Sequence, residues 1–309
     1  MHPQASKTVS RMGLPLLAAL SLLPTAGCSS DRQVDLRGRA PESDQRVNLR
    51  GRAYEVGQGY RDESKVTMTN ATITITGAGM TETGQMDLLV GGVDEEEILA
   101  VADGTVTKSR LKIVSEQLTE TVRSQGQTET HTEPSPLLGE TIEFEKVGGD
   151  WKRTLVGKVP NPRQAEDLKH FPPPESIADW FPAEPVGPGH SWTVDVSKLR
   201  KFFGTSAQID SGQWKMRFEK EFKKDGKSYA QIAEELEVHG KLKDEKGELH
   251  FDWKASGVCH LPLQPGGVVT MQLAGTMTMS TTLTEGGVLL QVRISGPATL
   301  EQKSSRKGE

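Results

Sequence analysis

The stretch Trp214–Val238, WKMRFEKEFKKDGKSYAQIAEELEV, decides the fold. Its large apolar residues fall mostly on even-numbered positions on both sides of Asp225-Gly226, as they do in two half-buried strands. A three-residue loop with Gly226 in the left-handed conformation would bring those positions face to face. The expected pairs are Trp214 with Leu236 and Phe218 with Ile232. The stretch therefore predicts an antiparallel hairpin with one apolar face.

Two later turns extend this apolar face. Asp244-Glu-Lys-Gly247 and Gly286-Gly287 each separate two runs of alternating apolar residues. The pairs they predict are Leu242 with Leu249, Leu283 with Leu290, and Met279 with Ile294. Because three independent turns keep one face apolar, the C-terminal half is predicted to be an antiparallel meander. Long ribbons of this kind curl, so the predicted fold is mainly β: a strongly twisted sheet or partial barrel around an apolar interior.

The N-terminal half is also β-rich. The parity of the apolar residues slips between Met68 and Ile73, which predicts a bulge or bend in one long strand. Further strands are predicted at Glu97–Ala102, Thr105–Ser115 and Glu140–Lys146. Arg110–Arg123 also fits a helical pattern, so that alternative stays open.

Proline punctuates the middle of the chain. Short helices are predicted at Arg163–His170 and Glu175–Phe181, since Pro172-Pro-Pro174 cannot continue either of them. This is the best boundary between halves. The predicted organisation is a signal peptide at 1–27, a flexible tether at 28–53, a β-rich half at 54–159, a short-helix connection at 160–188, a β meander at 189–303 and a disordered tail at 304–309.

The N-terminus resembles the signal of bacterial lipoproteins. Lys7 and Arg11 precede the apolar run Met12–Leu23, and Leu22–Ser30 reads LLPTAGCSS. In such families the cysteine, here Cys28, receives a diacylglyceryl group and becomes the first residue of the mature chain. Thr25 departs from the family pattern, which prefers an aliphatic residue there, so an ordinary secreted protein is the alternative.

A near repeat lies in the predicted tether. The sequence Asp35-Leu-Arg-Gly-Arg-Ala40 recurs as Asn48-Leu-Arg-Gly-Arg-Ala53. The four arginines could form a basic handle for anionic lipid head groups or another envelope polymer. The alternative is a duplicated and solvated linker, because basic runs usually face solvent.

The net charge and the cysteine content restrict which partners and cross-links the chain can have. The net charge of −5 gives no electrostatic argument for nucleic-acid binding. The cysteines are Cys28 and Cys259, so a disulfide framework is excluded if the first carries lipid. Cys259 is predicted to be a small buried hydrophobe, with a reactive thiol as the alternative. No sequence motif for a cofactor is present, and none is expected to bind.

A metal site is one candidate for chemistry. The predicted register places His239 opposite Asp252 on the polar face, with His250 diagonal to it. Two imidazoles and a carboxylate suit zinc or copper. The alternative is a solvated surface cluster, since polar cross-strand neighbours are common.

Methionines suggest a second candidate site. Met277 and Met279 lie on the apolar face of a predicted strand. The same face carries Met271, Leu273 and Leu283. Flexible methionines suit a pocket for lipid or another apolar ligand, but they also fill ordinary cores.

The acidic run Asp94–Glu97 is predicted to be a solvated loop, with a calcium site as the alternative.

Four segments resemble a group of uncharacterised bacterial lipoproteins. They are Leu99–Lys108, Pro134–Thr141, Phe181–Trp192 and Gly287–Leu300. The shared pattern is a strand followed by Asp-Gly, a Ser-Pro-Leu-x-Gly turn and a Pro-x-x-Pro-Val-x-x-Gly-x-x-Trp segment, and it implies no catalytic residue. The terminal hairpin also resembles, in architecture, periplasmic lipoprotein carriers whose half-open sheet holds acyl chains.

These observations predict a non-enzymatic envelope lipoprotein that acts as a binding or scaffolding module. Its expected partners are the membrane, through lipidated Cys28, and an apolar ligand or an envelope protein. Ser29 and Ser30 follow the cysteine with no Asp directly after it, and the resemblance to lipoproteins then implies the outer membrane, on its periplasmic or its external surface. The alternatives are a carrier of lipid or another apolar ligand in the β concavity, and a metal-dependent enzyme.

Overall fold

Twelve antiparallel strands form a single sheet that does not close on itself. The structure, a computed structural model, describes residues 46–50, 54–173, 180–199, 207–244, 247–264 and 267–307. The prediction of a mainly β chain with long antiparallel strands and few helices is confirmed.

The strands follow the chain as a series of hairpins. They are β1 Gly59–Gly77, β2 Met80–Ala102, β3 Thr105–Ser124, β4 Gln127–Pro134, β5 Thr141–Val147, β6 Asp150–Leu155, β7 Ser191–Val194, β8 Ala207–Lys224, β9 Lys227–Asp244, β10 Gly247–Pro262, β11 Val269–Glu285 and β12 Val288–Arg306. The described ranges also contain one α-helix, α1 at Pro162–His170, and a short 3₁₀-helix at Val196–Leu199. The order across the sheet is β6-β5-β3-β2-β1-β12-β11-β10-β9-β8-β7, with β4 also paired to β3.

The first and last long strands join the two halves. β1 pairs with β12 along most of its length, from Tyr60 opposite Arg306 to Thr76 opposite Gln291. The halves at 54–159 and 189–303 are therefore parts of one continuous sheet, and the short-helix connection is not their only link. β12 includes 304–306, which the sequence assigned to a disordered tail.

The hairpin in Trp214–Val238 has the predicted register but reaches it differently. Trp214 lies opposite Leu236 and Phe218 lies opposite Ile232, as predicted. The predicted three-residue loop is wrong, because Lys224 pairs with Lys227 across a two-residue turn. Asp225 and Gly226 have φ values of 50° and 74°, as a type I′ turn requires. A bulge between Phe218 and Lys220 restores the register.

Other local predictions are confirmed. Leu242 pairs with Leu249, Leu283 with Leu290, and Met279 with Ile294. The register of β1 shifts just after Met68, at the predicted bulge. Asn70 occupies it with φ 51°, and its N–H donates to Asp87 Oδ1 at 2.7 Å.

Among the segments with two possible structures, Arg110–Arg123 is strand and lies in β3. The helix predicted at Arg163–His170 is confirmed as α1. Residues 175–179 of the helix predicted at Glu175–Phe181 lie outside the described residues. The strand β4, which the sequence does not predict, is almost entirely exposed.

One face of the sheet carries the core. The largest buried cluster takes side chains from β1, β2, β3 and β7 to β12, and includes Leu49, Trp180, Phe181 and Val186 from outside the strands. A smaller cluster lies where α1 covers β5 and β6; its buried members are Ile113, Leu137, Ile142, Phe144, Leu155, Leu168 and Phe171. Because a single sheet has only itself to pack on, burying this much apolar surface requires it to curl.

Glycine on the core face permits this curling. A Cβ atom at Gly257 in β10 would lie 1.7 Å from the carbonyl oxygen of Gln272. One at Gly275 in β11 would lie 1.9 Å from the carbonyl oxygen of Lys254. Such close approach of neighbouring backbones is possible only without a side chain, as at the bends of curved sheets.

We predict that Gly275→Ala destabilises the fold. The added methyl group forces β10 and β11 apart, so the free energy of unfolding should fall by about 2 kcal/mol or more. Gly187→Ala is the matched control, because nothing lies within 4 Å of its Cβ position, and it should change stability by less than about 0.5 kcal/mol. Urea unfolding of both variants measures the difference, and equal stabilities would contradict this account of the bend.

Candidate functional site

The chain that leads from Cys28 meets the folded body at residues 46–50. Cys28 itself lies outside the described residues. Val47 forms an antiparallel bridge with Val186. The Val47 N–H donates to the Val186 carbonyl at 2.9 Å, and the Val186 N–H donates to the Val47 carbonyl at 3.0 Å. Leu49 is 1% exposed and belongs to the main core with Phe181 and Val186. We call the surface formed by Trp180, Phe181 and Val186 the tether groove.

Two polar contacts fix the docked segment. The Arg50 guanidinium donates from Nε to the Phe181 carbonyl at 3.1 Å. Asn48 Oδ1 accepts the Arg50 N–H at 2.9 Å, which closes a local turn. The structure thus differs from the flexible tether predicted for 28–53, because its residues 47–50 are part of the folded body. The apolar Leu49 supplies the reason, since it gains a buried site there.

A cavity of about 720 Å³ opens beside the tether groove. Arg46 and residues 182–188 line it together with His190. His190 stacks on Trp192, with ring centroids 6.0 Å apart. Trp192 donates its indole N–H to the Trp180 carbonyl at 2.8 Å, which secures this side of the groove. The proline-rich segment with an anchoring tryptophan, singled out in the sequence, therefore holds the end of the tether.

The structure brings together two of the three predicted metal ligands. His239 faces Asp252, and Nδ1 lies 2.5 Å from Asp252 Oδ1. This hydrogen bond is the largest factor that raises the pKa of His239 above its ordinary value. His250 lies diagonal to His239, as predicted, but its Nε2 is directed to Glu248 Oε1 at 3.1 Å. In the described ranges no group of three His, Cys, Asp or Glu side chains could hold a metal, so the geometry gives the metal site no support.

The two candidate ligand-binding methionines lie inside the packed core. Met277 is 2% exposed and Met279 is 1% exposed. A side chain with so little accessible surface has no water-sized space beside it. A ligand at Met277 or Met279 would therefore require the core to open.

Sequence reasoning missed a buried carboxyl group beside Cys259. Glu234 in β9 is 1% exposed, and neither carboxyl oxygen has a hydrogen-bond partner. Its strand neighbours on the core face are Met216 and Gly257. Burial raises the pKa of Glu234 to about 8, so the carboxyl is largely neutral at pH 7. Cys259 is buried as predicted, and burial raises the pKa of its thiol too.

A second buried acidic group lies on the core face of β1, β2 and β3. Ser64, Gly92 and Glu116 are aligned across these strands. Ser64 Oγ and Glu116 Oε2 are buried without hydrogen-bond partners. Burial raises the pKa of Glu116 to about 7, although a hydrogen bond from Ser135 opposes the shift.

Asp94 belongs to the same acidic group. It lies just past a register shift in β2, and burial, followed by the charge of Glu116, raises its pKa well above the ordinary value. The run Asp94–Glu97 is thus part of a strand, and the solvated loop predicted for it is wrong. Glu95 points to the other face and pairs with Arg61 at 3.1 Å.

Strand parity could have revealed these groups. Glu234 shares the even positions of Ile232 and Leu236, which the sequence had assigned to the apolar face. Glu120 in β3 likewise shares parity with buried Leu118, and burial raises its pKa to about 7. Chemically, these carboxyl groups can take up and release protons near neutral pH. Perturbed groups of this kind mark candidate functional sites.

Comparison with known proteins gives no family. No protein-family model matches the chain, and no curated protein matches it. Within the described part of the chain, no helix has both the length and the apolar character needed to cross a membrane.

We predict that Glu234→Gln makes the stability of the fold less dependent on pH. Because the pKa of Glu234 is about 8 in the fold against an ordinary value of 4.5, the wild type loses stability as pH rises between these values. Each unit is worth about 1.4 kcal/mol, so the loss is on the order of 5 kcal/mol, and the Gln variant escapes it. Urea unfolding from pH 4.5 to pH 8.5 measures both profiles.

Glu235→Gln is the matched control for this experiment. Glu235 is the next residue along β9 and is exposed, so its replacement should leave the profile parallel to that of the wild type. If the Glu234→Gln profile also runs parallel to the wild type, Glu234 does not titrate as a buried group.

Proposed function

We propose that the chain is an envelope lipoprotein, anchored by an acylated Cys28, that acts as a non-enzymatic binding or scaffolding module. The Leu22–Ser30 motif supports the anchor. One acyl chain holds a protein only marginally at a membrane, so stable anchoring implies two or more chains at this residue. Ser29 and Ser30 favour the outer membrane.

The docked segment 46–50 carries the proposal. A solvated linker would leave the body loosely attached, whereas the Val47–Val186 bridge and buried Leu49 fix the point where the tether enters it. The body then hangs from one defined site beside the proline-rich segment. Such an arrangement suits a module that presents its remaining surface to a partner in the envelope.

The outer face of the sheet favours a protein or polymer partner. It carries rows of hydroxyl groups, including Thr67 and Thr299 at 2.6 Å and Thr278 and Ser295 at 3.0 Å. Mixed charges lie beside them, among them the pair Lys254 and Glu237 at 2.6 Å. Such hydroxyl and charged groups can form hydrogen bonds and ion pairs with a partner, as the polar rim of a protein interface does. The carrier alternative would need space near Met277 and Met279, which are tightly packed.

Mass spectrometry of the chain extracted from membranes tests the anchor. We predict an N-terminal peptide that begins at Cys28 and carries two or three acyl chains. Cys28→Ala should abolish acylation and move the chain from the membrane to the soluble fraction, because its lipid is the only anchor proposed. Cys259→Ala is the matched control and should keep both the lipid and the membrane fraction, since Cys259 is buried in β10.

The same extract separates the alternatives. An unmodified Cys28 in a chain that stays soluble would contradict the lipoprotein proposal. A lipid that copurifies in stoichiometric amount with the folded body, beyond the acyl chains on Cys28, would favour the carrier over the scaffold.

A further inference from the structure

Residues 47–50, which dock in the tether groove, begin a seven-residue sequence that occurs twice. The first copy, Val34–Ala40, reads VDLRGRA. The second copy, Val47–Ala53, lies thirteen residues later and reads VNLRGRA. The two copies differ only in Asn48, which replaces Asp35. The match therefore extends to the valine that forms the bridge with Val186 in the second copy.

The first copy has every group that the second copy uses. The bridge of Val47 is made by its backbone, which Val34 also offers. Leu36 matches buried Leu49 in size and shape. Arg37 matches Arg50, whose guanidinium bonds to the Phe181 carbonyl.

The one substitution preserves the local turn. Asn48 acts through its side-chain oxygen, which accepts the Arg50 N–H. An aspartate carboxylate accepts the same bond, and both residues favour this turn.

We propose that the tether groove binds residues 34–37 in place of 47–50, so that the body can attach to its tether in two registers. The groove itself favours neither copy, because the matching contacts are the same. Docking of the first copy lengthens the loop between the docked residues and Tyr54 by thirteen residues. Closing that loop costs entropy, so the second copy is the major occupant in the free protein.

The exchange would change how far the body stands from the membrane. With the second copy docked, the tether runs from Cys28 to Val47. With the first copy docked, it runs from Cys28 to Val34, thirteen residues earlier. At about 3.3 to 3.6 Å per extended residue, the maximum reach shortens by about 45 Å. This consequence rests on the proposed anchor at Cys28, whereas the exchange of copies does not.

Disulfide trapping tests the exchange in the full chain carrying Cys28→Ser. Cysteines replace Val34 and Val186, a pair that only the first-copy register brings together. Paired residues in an antiparallel bridge are close enough for a disulfide. Val47→Cys with Val186→Cys is the positive control. Ser43→Cys with Val186→Cys is the matched control, because Ser43 lies between the copies.

Replacing Leu49, the buried side chain of the second copy, should increase the fraction of molecules in which the first copy is docked. We predict that adding Leu49→Ser raises the yield of the intramolecular 34–186 disulfide by about tenfold or more, since the buried leucine is lost from one register only. Further addition of Leu36→Ser should return the yield to that of the Ser43 control. Leu36→Ser should lower the melting temperature in the Leu49→Ser background and leave it unchanged in the wild type.

Two results would overturn the exchange. One is a 34–186 yield no higher than the Ser43 control in the Leu49→Ser background. The other is a disulfide found only between two molecules, which would assign the first copy to a neighbouring chain. Because Cys28 is serine throughout, failure of acylation leaves this result untouched, and failure of the exchange leaves the anchor untouched.

Discussion

The fold depends on the burial of one face of a single open sheet. Two packed sheets share their apolar faces, but this chain has one sheet and a small number of segments to cover it. Curvature is therefore the main means of removing apolar side chains from water. Gly257 and Gly275 show the cost of that curvature, since neither position has room for a Cβ atom. The register, the bulges and the covering segments all follow from this need.

Alternation of apolar residues was enough to predict most of the C-terminal register. A one-residue slip would turn Trp214 and Phe218 to solvent, so the pairing is fixed by burial and not by the turn. This explains why the pairs opposite Leu236 and Ile232 were predicted correctly from a turn that was itself wrong. The two-residue turn at Asp225-Gly226 forces a different register, and a bulge next to Phe218 corrects it.

Pairing between strands that are far apart in sequence cannot be predicted from local alternation. Pairing of β1 with β12 joins segments that are far apart in sequence, and no local pattern specifies it. The buried carboxyl groups were missed for another reason. The charge of Asp94–Glu97 favours a solvated run, whereas strand parity places alternate residues on opposite faces of the sheet, one of them buried. Glu234 shows the same conflict within a correctly predicted strand.

The sequence contained a comparable signal in the tether. An apolar side chain lowers its free energy when it leaves water. A leucine in a mostly polar linker is therefore expected to be buried where a site exists, and Leu49 is buried in the main core. The compositional rule for solvated linkers treats the segment as an average and so overlooks one apolar side chain flanked by hydrogen-bonding groups. Leu36 stands in the same local sequence thirteen residues earlier. The residues that flank Leu49 hold it in its buried position. Because the same residues flank Leu36, the chain contains a second segment with affinity for the tether groove.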